Sequence, residues 1–286
     1  MADIIVIGGG PAGVSAANYA VRAGMDTTII YKNFGALEKA HSIENYYGFN
    51  KPISGHALGL SGMEQAERLG VAVRKDEVVG LSLDERFHVE TVTCSYEADA
   101  VIIATGASHT APPIRNHHEY EGKGISYCAV CDAFFYRGKN VAVLGGGEYA
   151  LHEARTLMPV VGSVTVLTNG NEIAAEFPDG IRIITDTVST LTGGDTLSGV
   201  VFENGGSVAV SGLFVAIGVA GSVALAQKIG AAVSGNDIIV NDKMQTSVPG
   251  LFAAGDCTGN MRQIAKAVYE GAIAGTAAVN YVRGGF

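Results

Sequence analysis

The sequence predicts an α/β fold with two Rossmann-like dinucleotide-binding domains, each of three layers (ββα/αβα), the second inserted in the first. Two glycine-rich turns indicate this, at residues 8–13 and 145–150. Each turn follows a short run rich in Val and Ile and precedes a helical pattern, which is the order a dinucleotide-binding unit requires. The composition agrees, because 39 of the 286 residues are Gly and only 16% are charged. Many strands must therefore be buried on both faces.

The first turn has the spacing G-x-G-x-x-G and begins at Gly8. Gly8 permits a tight turn, Gly10 lets a pyrophosphate approach the backbone, and Gly13 lets the following helix pack closely on the strand. That helix is predicted from Val14 to about Ala23, with its positive N-terminus towards the phosphates. No acidic residue follows the next strand at the usual ribose position, so ribose recognition stays open.

The remaining hydrophobic patterns predict one amphipathic helix and a series of short strands. The helix covers residues 58–69, and its core positions are Leu60, Met63, Ala66 and Leu69. The strands cover residues 71–74, 78–81, 87–94, 98–103, 140–144, 163–167 and 237–240. Pro112 and Pro113 break the chain and mark a domain crossing. We therefore expect a first domain of residues 1–112 and 238–286, and a second of residues 113–237.

Charge and hydropathy exclude two classes of partner. The net charge is -9 and no basic aromatic patch occurs, so nucleic acid is not expected to bind. The N-terminus has no positive segment before its first apolar run, and no run of about 18 apolar residues occurs, so no targeting signal or membrane span is predicted. A cytoplasmic protein is expected, whose four cysteines stay reduced unless one pair is catalytic.

The most reactive sequence feature is the C-x-x-C motif of Cys128 and Cys131. Two thiols at this spacing close a small disulfide, and the positive end of a helix starting there favours the thiolate. Half of a zinc site or two buried thiols are the alternatives. Zinc is disfavoured because Cys94 and Cys257 stand alone, and the pair His117-His118 lies at the wrong spacing for a zinc finger. We predict a redox pair, no metal, and structural roles for the two lone cysteines.

Eight motifs follow one another in a fixed order along the whole chain. They are residues 8–13, Glu44-Asn45, residues 104–107, residues 128–132 with Phe134-Phe135, residues 145–150, residues 254–257, Arg262-Gln263 and Glu270-Gly271. Together they resemble the low-molecular-weight thioredoxin reductase family.

The resemblance implies FAD in the first dinucleotide site and a homodimer whose small domain rotates. The expected FAD-binding residues are Gly8, Gly10, Pro11, Ala12, Gly13, Asn45, Ala104, Thr105, Gly106, Gly255, Asp256, Gln263, Ile264 and Ala265. Asp256 corresponds to the ribityl contact of the flavin, the alternative being an Asp that caps the next turn. The helix that begins near Gln263 is expected to direct its positive N-terminus at the flavin ring.

The resemblance also assigns roles around the disulfide. Cys131 is expected to face the flavin ring, and Cys128 to be the exposed thiol that attacks thioredoxin through a mixed disulfide. Asp132 is the only acid beside the pair and is expected to protonate the leaving thiolate or the thiolate on the flavin side. Its alternative role is a carboxylate that only interacts with the helix dipole.

The second dinucleotide site departs from the family pattern. The family has an Arg-rich patch after the strand that corresponds to residues 163–167, where it binds the 2′-phosphate of NADPH. Here Arg182 is the only basic residue between Thr156 and Gln227, so the phosphate loses its charge-assisted contacts. No acid stands at Thr168, so the NADH signature is missing as well. We expect weak or lost NADPH binding and, by resemblance to a family branch with a degraded NADPH domain, reduced ferredoxin as electron donor.

Three other readings remain open from the sequence. The first is a conventional NADPH-dependent thioredoxin reductase. The second is a flavin oxidase of the same fold that forms disulfides and passes electrons to oxygen. The third is a redox-sensing flavoprotein without catalytic turnover, in which the C-x-x-C motif switches partner binding.

Overall fold

The chain forms two compact units in a computed structural model that describes residues 2–107, 114–218 and 221–284. The first unit comprises Met1–His109 and Gly221–Phe286, and the second comprises Thr110–Ala220. The predicted domain crossing at Pro112 and Pro113 lies outside the described residues. The chain returns to the first unit earlier than the expected residue 238, because a short helix from Ser222 joins that unit. Lys228 at its end donates to the carbonyl oxygen of Val79 at 3.0 Å.

The helices and strands of the described residues are as follows. The strands are β1 (Ala2–Ile7), β2 (Thr27–Tyr31), β3 (Ala72–Lys75), β4 (Val78–Leu83), β5 (Phe87–Thr91), β6 (Ser95–Ile103), β7 (Ile125–Ser126), β8 (Asn140–Leu144), β9 (Ser163–Leu167), β10 (Arg182–Ile184), β11 (Val188–Gly193), β12 (Leu197–Phe202), β13 (Ser207–Ala209), β14 (Gly212–Val215), β15 (Val233–Ser234), β16 (Asp237–Ile238) and β17 (Leu251–Ala253). The α-helices are α1 (Pro11–Arg22), α2 (Gly55–Leu69), α3 (Ala129–Asp132), α4 (Glu148–Leu157), α5 (Ser222–Lys228) and α6 (Ile264–Val282).

The first unit is built on a sheet in the order β3-β2-β1-β6-β5-β4, with β17 also paired to β6. The strands β1, β2, β3, β6 and β17 are parallel, whereas β4 and β5 form an antiparallel extension. Helices α1 and α6 pack backbone to backbone, since a Cβ on Gly271 would lie 2.2 Å from the Ala12 carbonyl oxygen. The first glycine turn joins the carboxyl end of β1 to the start of α1, and its Gly8 packs against Ala104, which directly follows β6.

The second unit has a parallel sheet in the order β10-β9-β8-β14-β7 and a separate antiparallel sheet β11-β12-β13. The strand β8 leads into the second glycine turn, and α4 follows it. The predicted strand–turn–helix order is thus present in both units. Among the described residues, no helix combines the length and the apolar character needed to cross a membrane.

Several element predictions need correction. Helix α1 begins at Pro11 rather than Val14, because Pro at the first helical position has a suitable φ and needs no hydrogen bond there. Helix α2 begins at Gly55, where the Ser54 hydroxyl accepts the Ala57 N–H at 3.2 Å. Leu60 is not a core residue: it is 45% exposed, whereas Met63 and Ala66 are buried.

Two further corrections concern the strands. Cys94 was expected inside a strand, but it lies in the turn between β5 and β6 and is exposed. The Thr91 hydroxyl accepts the Cys94 N–H at 3.0 Å and closes that turn. The strand predicted at residues 237–240 does not join the main sheet. Its first two residues pair with β15 instead, and β17 is the late strand that joins β6.

Candidate active site

Cys128 and Cys131 form a disulfide with a Cα–Cα distance of 5.3 Å. Cys128 is the N-cap of α3, and its Sγ accepts the N–H of Cys131 at 3.1 Å. The predicted position of the pair at the start of a helix is confirmed. The helix is only four residues long, so the surrounding chain must hold the disulfide in place.

Ser126 connects the disulfide to the neighbouring acid. Its hydroxyl accepts the Cys128 N–H at 3.1 Å and donates to Asp132 Oδ2 at 2.7 Å. The Asp132 carboxylate is therefore held beside the pair by a hydroxyl that also orders the Cys128 backbone. Asp132 was predicted from the motif but Ser126 was not, since its only signal in the sequence is a hydroxyl two residues before Cys128.

Two side chains of α4 hold the segment that carries the disulfide. Glu153 is 1% exposed, and its Oε2 accepts the N–H of Ala129 at 2.6 Å. The Tyr149 hydroxyl donates to the Tyr127 carbonyl oxygen at 3.2 Å. Burial, and secondarily the Glu153 charge, raises the pKa of Tyr149 well above its ordinary value, so this hydroxyl remains a donor. The sequence analysis missed both residues, although an acid on the buried face of a helix was the available signal.

The exposure of the two sulfurs differs from the expectation. Cys128 is 3% exposed, whereas Cys131 is exposed. The assignment of Cys128 as the exposed thiol is therefore wrong for this oxidised state. The reason is the position of Cys128 as a helix N-cap, with its own N–H and that of Ala129 bonded inward to Ser126 and Glu153.

An exposed apolar patch surrounds the disulfide segment. Val130 is 59% exposed, and Phe134 and Phe135 are 72% and 68% exposed. Arg137 lies over the Phe134 ring at 5.8 Å from its centroid. Contiguous apolar side chains of this size on a surface are typical of a protein-binding site.

The first glycine turn contains two glycines that are required for packing, Gly8 and Gly13, and one that is open, Gly10. A Cβ on Gly8, whose φ is +123°, would lie 2.2 Å from the Ala104 carbonyl oxygen, and a Cβ on Gly13 would lie 2.0 Å from that of Gly8. A Cβ on Gly10 would meet none of the described atoms within 4 Å. Gly10 is also the N-cap of α1 and offers no side-chain cap to the helix N–H groups. This open backbone at a helix N-terminus fits the pyrophosphate of a dinucleotide.

Three other segments of the first unit supply predicted FAD-binding residues with polar side chains, namely Asn45, Thr105 and Gln263. Asn45 Nδ2 donates to Gln263 Oε1 at 2.9 Å, although 218 residues separate the two. The Thr105 hydroxyl is buried without a hydrogen-bond partner among the described residues. An orphaned buried hydroxyl of this kind fits a polar group supplied by a ligand. Gln263 is the N-cap of α6, so the predicted helix beginning at Ile264 and Ala265 is confirmed.

Asp256 lies on a loop that a buried ion pair holds. Lys266 Nζ donates to the carbonyl oxygens of Gly255 and Gly259, both at 2.7 Å, and lies 3.0 Å from Glu270 Oε2. Glu270 Oε2 also accepts the Gly255 N–H at 2.9 Å. Burial raises the pKa of Asp256, against the lowering effect of the Lys266 and Arg262 charges. Glu270 belongs to the Glu270-Gly271 motif but had no predicted role, and Lys266 was not predicted at all.

The predicted FAD residues thus lie in the first unit, around one glycine turn. Pro11 begins α1, and a Cβ on Gly255, whose φ is +88°, would lie 2.9 Å from the Ala12 Cβ. Ala104 is buried against Gly8, and Gly106 has a φ of +81°. The open Gly10 backbone and the orphaned Thr105 hydroxyl fit a bound FAD. The predicted catalytic residues Cys128, Cys131 and Asp132 lie together in the second unit.

The second glycine turn is packed at its first two glycines and open at its third. Gly145 packs as Gly8 does, since its Cβ would lie 2.1 Å from the Ala216 carbonyl oxygen. The carbonyl oxygen of Gly146 accepts the N–H of Ala174 at 2.8 Å, and a Cβ on Gly146 would lie 3.2 Å from the Glu172 carbonyl oxygen. Gly147 is the counterpart of Gly10 in the first turn, and the nearest described atom to its Cβ position is the Gly218 carbonyl oxygen at 3.9 Å. Residues 172–174 therefore lie against Gly146 and leave the Gly147 backbone accessible.

The residues that follow β9 are uncharged up to Asn171, and two of their amide side chains bond the backbone. Asn171 Nδ2 donates to the Thr168 carbonyl oxygen at 3.0 Å, and Asn169 Oδ1 accepts the Val188 N–H at 2.7 Å. Arg182 pairs in register with Thr165, two residues before the end of β9 at Leu167. Since a Rossmann unit binds its ligand at the carboxyl ends of the strands, Arg182 is not at the position of an NADPH 2′-phosphate.

Comparisons with known proteins agree with this geometry. The family model described as pyridine nucleotide-disulphide oxidoreductase matches residues 2–271. A thioredoxin reductase of Treponema pallidum is 34% identical over 98% of this chain and 97% of its own length. The atypical thioredoxin reductase TRi of Desulfovibrio vulgaris has a solved structure that is 39% identical, with a TM-score of 0.93 over 99% of both chains. A ferredoxin-flavin thioredoxin reductase of Clostridium acetobutylicum is 30% identical, with a TM-score of 0.76 over 99% of this chain and 98% of its own.

Proposed function

Since the chain belongs to the pyridine nucleotide-disulphide oxidoreductases and, within them, to the low-molecular-weight thioredoxin reductases, we propose that reduced ferredoxin rather than NADPH supplies its electrons. The chain is a flavin-type disulfide reductase, an oxidoreductase acting on a sulfur group. Its relatives are thioredoxin reductases, which implies thioredoxin as its substrate.

The observation that carries the donor proposal is the neutral end of β9. None of the described residues 168–171, which follow β9, has a charged side chain, and Arg182 pairs with Thr165, two residues before the strand ends. A 2′-phosphate bound there would therefore lose its charge-assisted contacts. One similar structure is a ferredoxin-flavin thioredoxin reductase, which supports the same donor here.

The proposed reaction needs a cofactor that accepts electrons one at a time from ferredoxin and passes two to the disulfide. Bound FAD supplies this, because a flavin accepts electrons singly or in pairs. Gly10, Thr105, Asp256 and Gln263 would bind FAD in the first unit. The disulfide takes two electrons and two protons to become the Cys128 and Cys131 thiols, and the reduced pair then gives them to the thioredoxin disulfide by thiol–disulfide exchange.

Asp132 is proposed to hold the proton of this exchange. Its Oδ2 accepts from the Ser126 hydroxyl at 2.7 Å, and that hydroxyl also accepts the Cys128 N–H. A carboxyl group held in this way can protonate a leaving thiolate of the pair. The exposed patch of Val130, Phe134 and Phe135 is the proposed thioredoxin-binding surface, because it adjoins the exposed Cys131.

An anaerobic donor comparison tests the proposal. The FAD-loaded enzyme is mixed separately with NADPH, NADH and reduced ferredoxin, and flavin absorbance and thioredoxin thiols are followed together. We expect flavin bleaching and thioredoxin thiols with ferredoxin alone. Rapid bleaching at micromolar NADPH would show a conventional NADPH-dependent enzyme. Oxygen uptake with a dithiol substrate and no thioredoxin reduction would show an oxidase, and the absence of turnover with every donor would show a redox sensor.

We further propose a cytoplasmic homodimer, as the family resemblance implies. Light scattering of the FAD-loaded enzyme at several concentrations tests the assembly. A mass that stays at that of a single 29.5 kDa chain would contradict it.

A further inference from the structure

Three potential metal ligands meet on the turn that leads to the redox disulfide. Asn116, with a φ of +64°, precedes a 3-10 turn at His117–Tyr120. The ligand atoms of His117, His118 and Glu121 all lie within 4.8 Å of one another. His117 Nδ1 lies 3.6 Å from Glu121 Oε1, and His118 Nδ1 lies 3.6 Å from Glu121 Oε2. Both separations exceed those of good hydrogen bonds, so the three groups converge without satisfying one another.

His117 adds a second observation that indicates a ligand. Its side chain is 2% exposed, and Nδ1 has no hydrogen-bond partner among the described residues. A buried polar atom left without a partner costs about 1–3 kcal/mol. Nδ1 faces the half-exposed Glu121 carboxylate, which is open to solvent on the other side. A cation bound between them would satisfy both groups.

Tyr127 provides the outer hydrogen bonds that such a site requires. Its hydroxyl lies 3.4 Å from His117 Nε2 and 3.3 Å from Glu121 Oε1. If Nδ1 binds a metal ion, Nε2 carries the ring proton and donates it to the Tyr127 hydroxyl, which in turn donates to Glu121. The Tyr127 hydroxyl can therefore orient both His117 and Glu121 at once. Histidines that bind metal ions are commonly oriented in this way, by a hydrogen bond from the ring nitrogen that does not bind the metal.

The backbone on both sides of the cluster is already held in place. Asn116 Nδ2 donates to the Leu191 carbonyl oxygen at 3.2 Å, and the Leu191 N–H donates to the Arg115 carbonyl oxygen at 3.1 Å. At the other end, Glu121 forms a β-bridge with Ile125. The ligand positions are thus fixed relative to β7 and β11, which lowers the entropy cost of ordering a bound ion.

We propose that His117, His118 and Glu121 form a binding site for a divalent transition-metal ion of the zinc class. Two imidazole nitrogens and a carboxylate are ligands that zinc prefers, and the exposed side leaves room for water as the fourth ligand. Ligands bound to tetrahedral zinc at about 2.0–2.1 Å lie about 3.3 Å apart, so the two 3.6 Å pairs need only a small closing movement. His118 is 86% exposed and free to rotate inward.

The ion has a structural role and takes no part in electron transfer. Tyr127 directly precedes Cys128, and its hydroxyl contacts both His117 and Glu121. An ion that orders these two ligands therefore also orders the residue that enters the redox disulfide. The proposal is independent of the electron donor.

Zinc binding to the FAD-loaded, oxidised enzyme tests the site. The disulfide keeps Cys128 and Cys131 from binding zinc, and a Cys94→Ser background removes the exposed thiol. Competition with a chromophoric chelator is expected to give one zinc ion per chain. His118→Ala and Glu121→Gln are each expected to lower the affinity by about 100-fold or more, and Tyr127→Phe by about 10–100-fold, as loss of an outer partner does.

His88→Ala is the matched control. His88 also lies near two carboxylates, those of Glu97 at 3.7 Å and Asp84 at 4.0 Å, but the described part of the chain places no second histidine in a ligand cluster with them. Its substitution is expected to leave zinc affinity unchanged. Zinc should raise the melting temperature of the parent and not that of His118→Ala, because binding to the native state alone stabilises it. Equal affinity in the parent and His118→Ala, or no zinc bound by the parent, would overturn the proposal.

Discussion

Glu153 accepts the backbone N–H of Ala129 at 2.6 Å, through a carboxylate that is 1% exposed. This hydrogen bond joins the helix of the second glycine turn to the residue that follows Cys128. Tyr149, one helical turn earlier on α4, bonds the carbonyl oxygen of the residue before Cys128. Two side chains of α4 thus hold the backbone on both sides of Cys128, whereas Ala174 bonds the backbone of Gly146 in the turn before α4.

Removal of the Glu153 carboxylate should destabilise the oxidised enzyme. In Glu153→Ala, the buried Ala129 N–H loses its partner, which costs about 1–3 kcal/mol of unfolding free energy. Glu153→Gln keeps an acceptor oxygen and should lose less. Urea denaturation of the oxidised protein measures both. Arg155→Ala on the exposed face of α4 is the control, expected within about 0.5 kcal/mol of the parent. An equal loss in Glu153→Ala and the control would contradict this role.

Gly10 and Gly13 should differ in what their substitution damages. A Cβ at Gly10 meets none of the described atoms within 4 Å, so Gly10→Ala should leave the fold intact and reduce FAD affinity by filling the pyrophosphate position. A Cβ at Gly13 would lie 2.0 Å from the Gly8 carbonyl oxygen, so Gly13→Ala should separate α1 from β1 and destabilise the unit itself.

Flavin content after purification and thermal melting of the apoprotein distinguish these two effects. Gly10→Ala should melt near the parent apoprotein while retaining less flavin, and Gly13→Ala should show a lower melting temperature. Normal flavin content in Gly10→Ala would show that this backbone does not approach the cofactor.

The pKa values of the two free cysteines are shifted in opposite directions, so the two thiols should differ in reactivity. Hydrogen bonds from Tyr96 and Thr93 lower the pKa of the exposed Cys94 below the ordinary 9.0. Complete burial raises the pKa of Cys257 to about 12. A thiolate-directed reagent should therefore modify Cys94 with a midpoint below that of a free thiol, and should reach Cys257 only after unfolding. Thiol titration of the oxidised enzyme over about pH 6–10, a range that includes the Cys94 titration and ends below the pKa of Cys257, checks this.

Burial of Cys257 also predicts a loss of stability in alkali. A folded-state pKa of about 12 lies above the unfolded value near 9.0, so the folded chain holds this proton more tightly. The resulting stabilisation is complete below the unfolded pKa and declines as pH rises through the folded pKa. Cys257→Ala should reduce that alkaline loss in urea titrations. An unchanged pH dependence would assign the alkaline loss to other groups.

Both sulfurs of the disulfide should be required for turnover, but neither for flavin binding. Cys131→Ser should retain bound FAD, because the predicted FAD residues lie in the first unit, and should lose thioredoxin reduction. Cys128→Ser should behave in the same way. The exposed Cys94→Ser is the control and should keep both properties. Flavin absorbance and thioredoxin turnover measure the two, and sustained turnover in Cys131→Ser would refute the assignment of the redox pair.

The parts of the site that sequence reasoning could predict are those whose signal is local. The glycine spacing at residues 8–13 and the C-x-x-C motif each occupy a few consecutive residues, and the structure places both at the start of a helix. The prediction of the amphipathic helix was less accurate, because hydrophobic periodicity does not show how much of the helix a neighbouring element covers. Leu60 fits the helical stripe but is 45% exposed.

Sequence alone determined two dinucleotide-type units and a redox-active cysteine pair, because turn geometry and disulfide closure depend on neighbouring residues. Only the tertiary structure decided which groups support them. Glu153 meets Ala129 across 24 positions, and Ala174 meets Gly146 across a helix, a strand and a loop. Such contacts depend on how helices and loops pack in three dimensions, so a buried carboxylate beside a disulfide and a loop packed against Gly146 leave no motif in the chain.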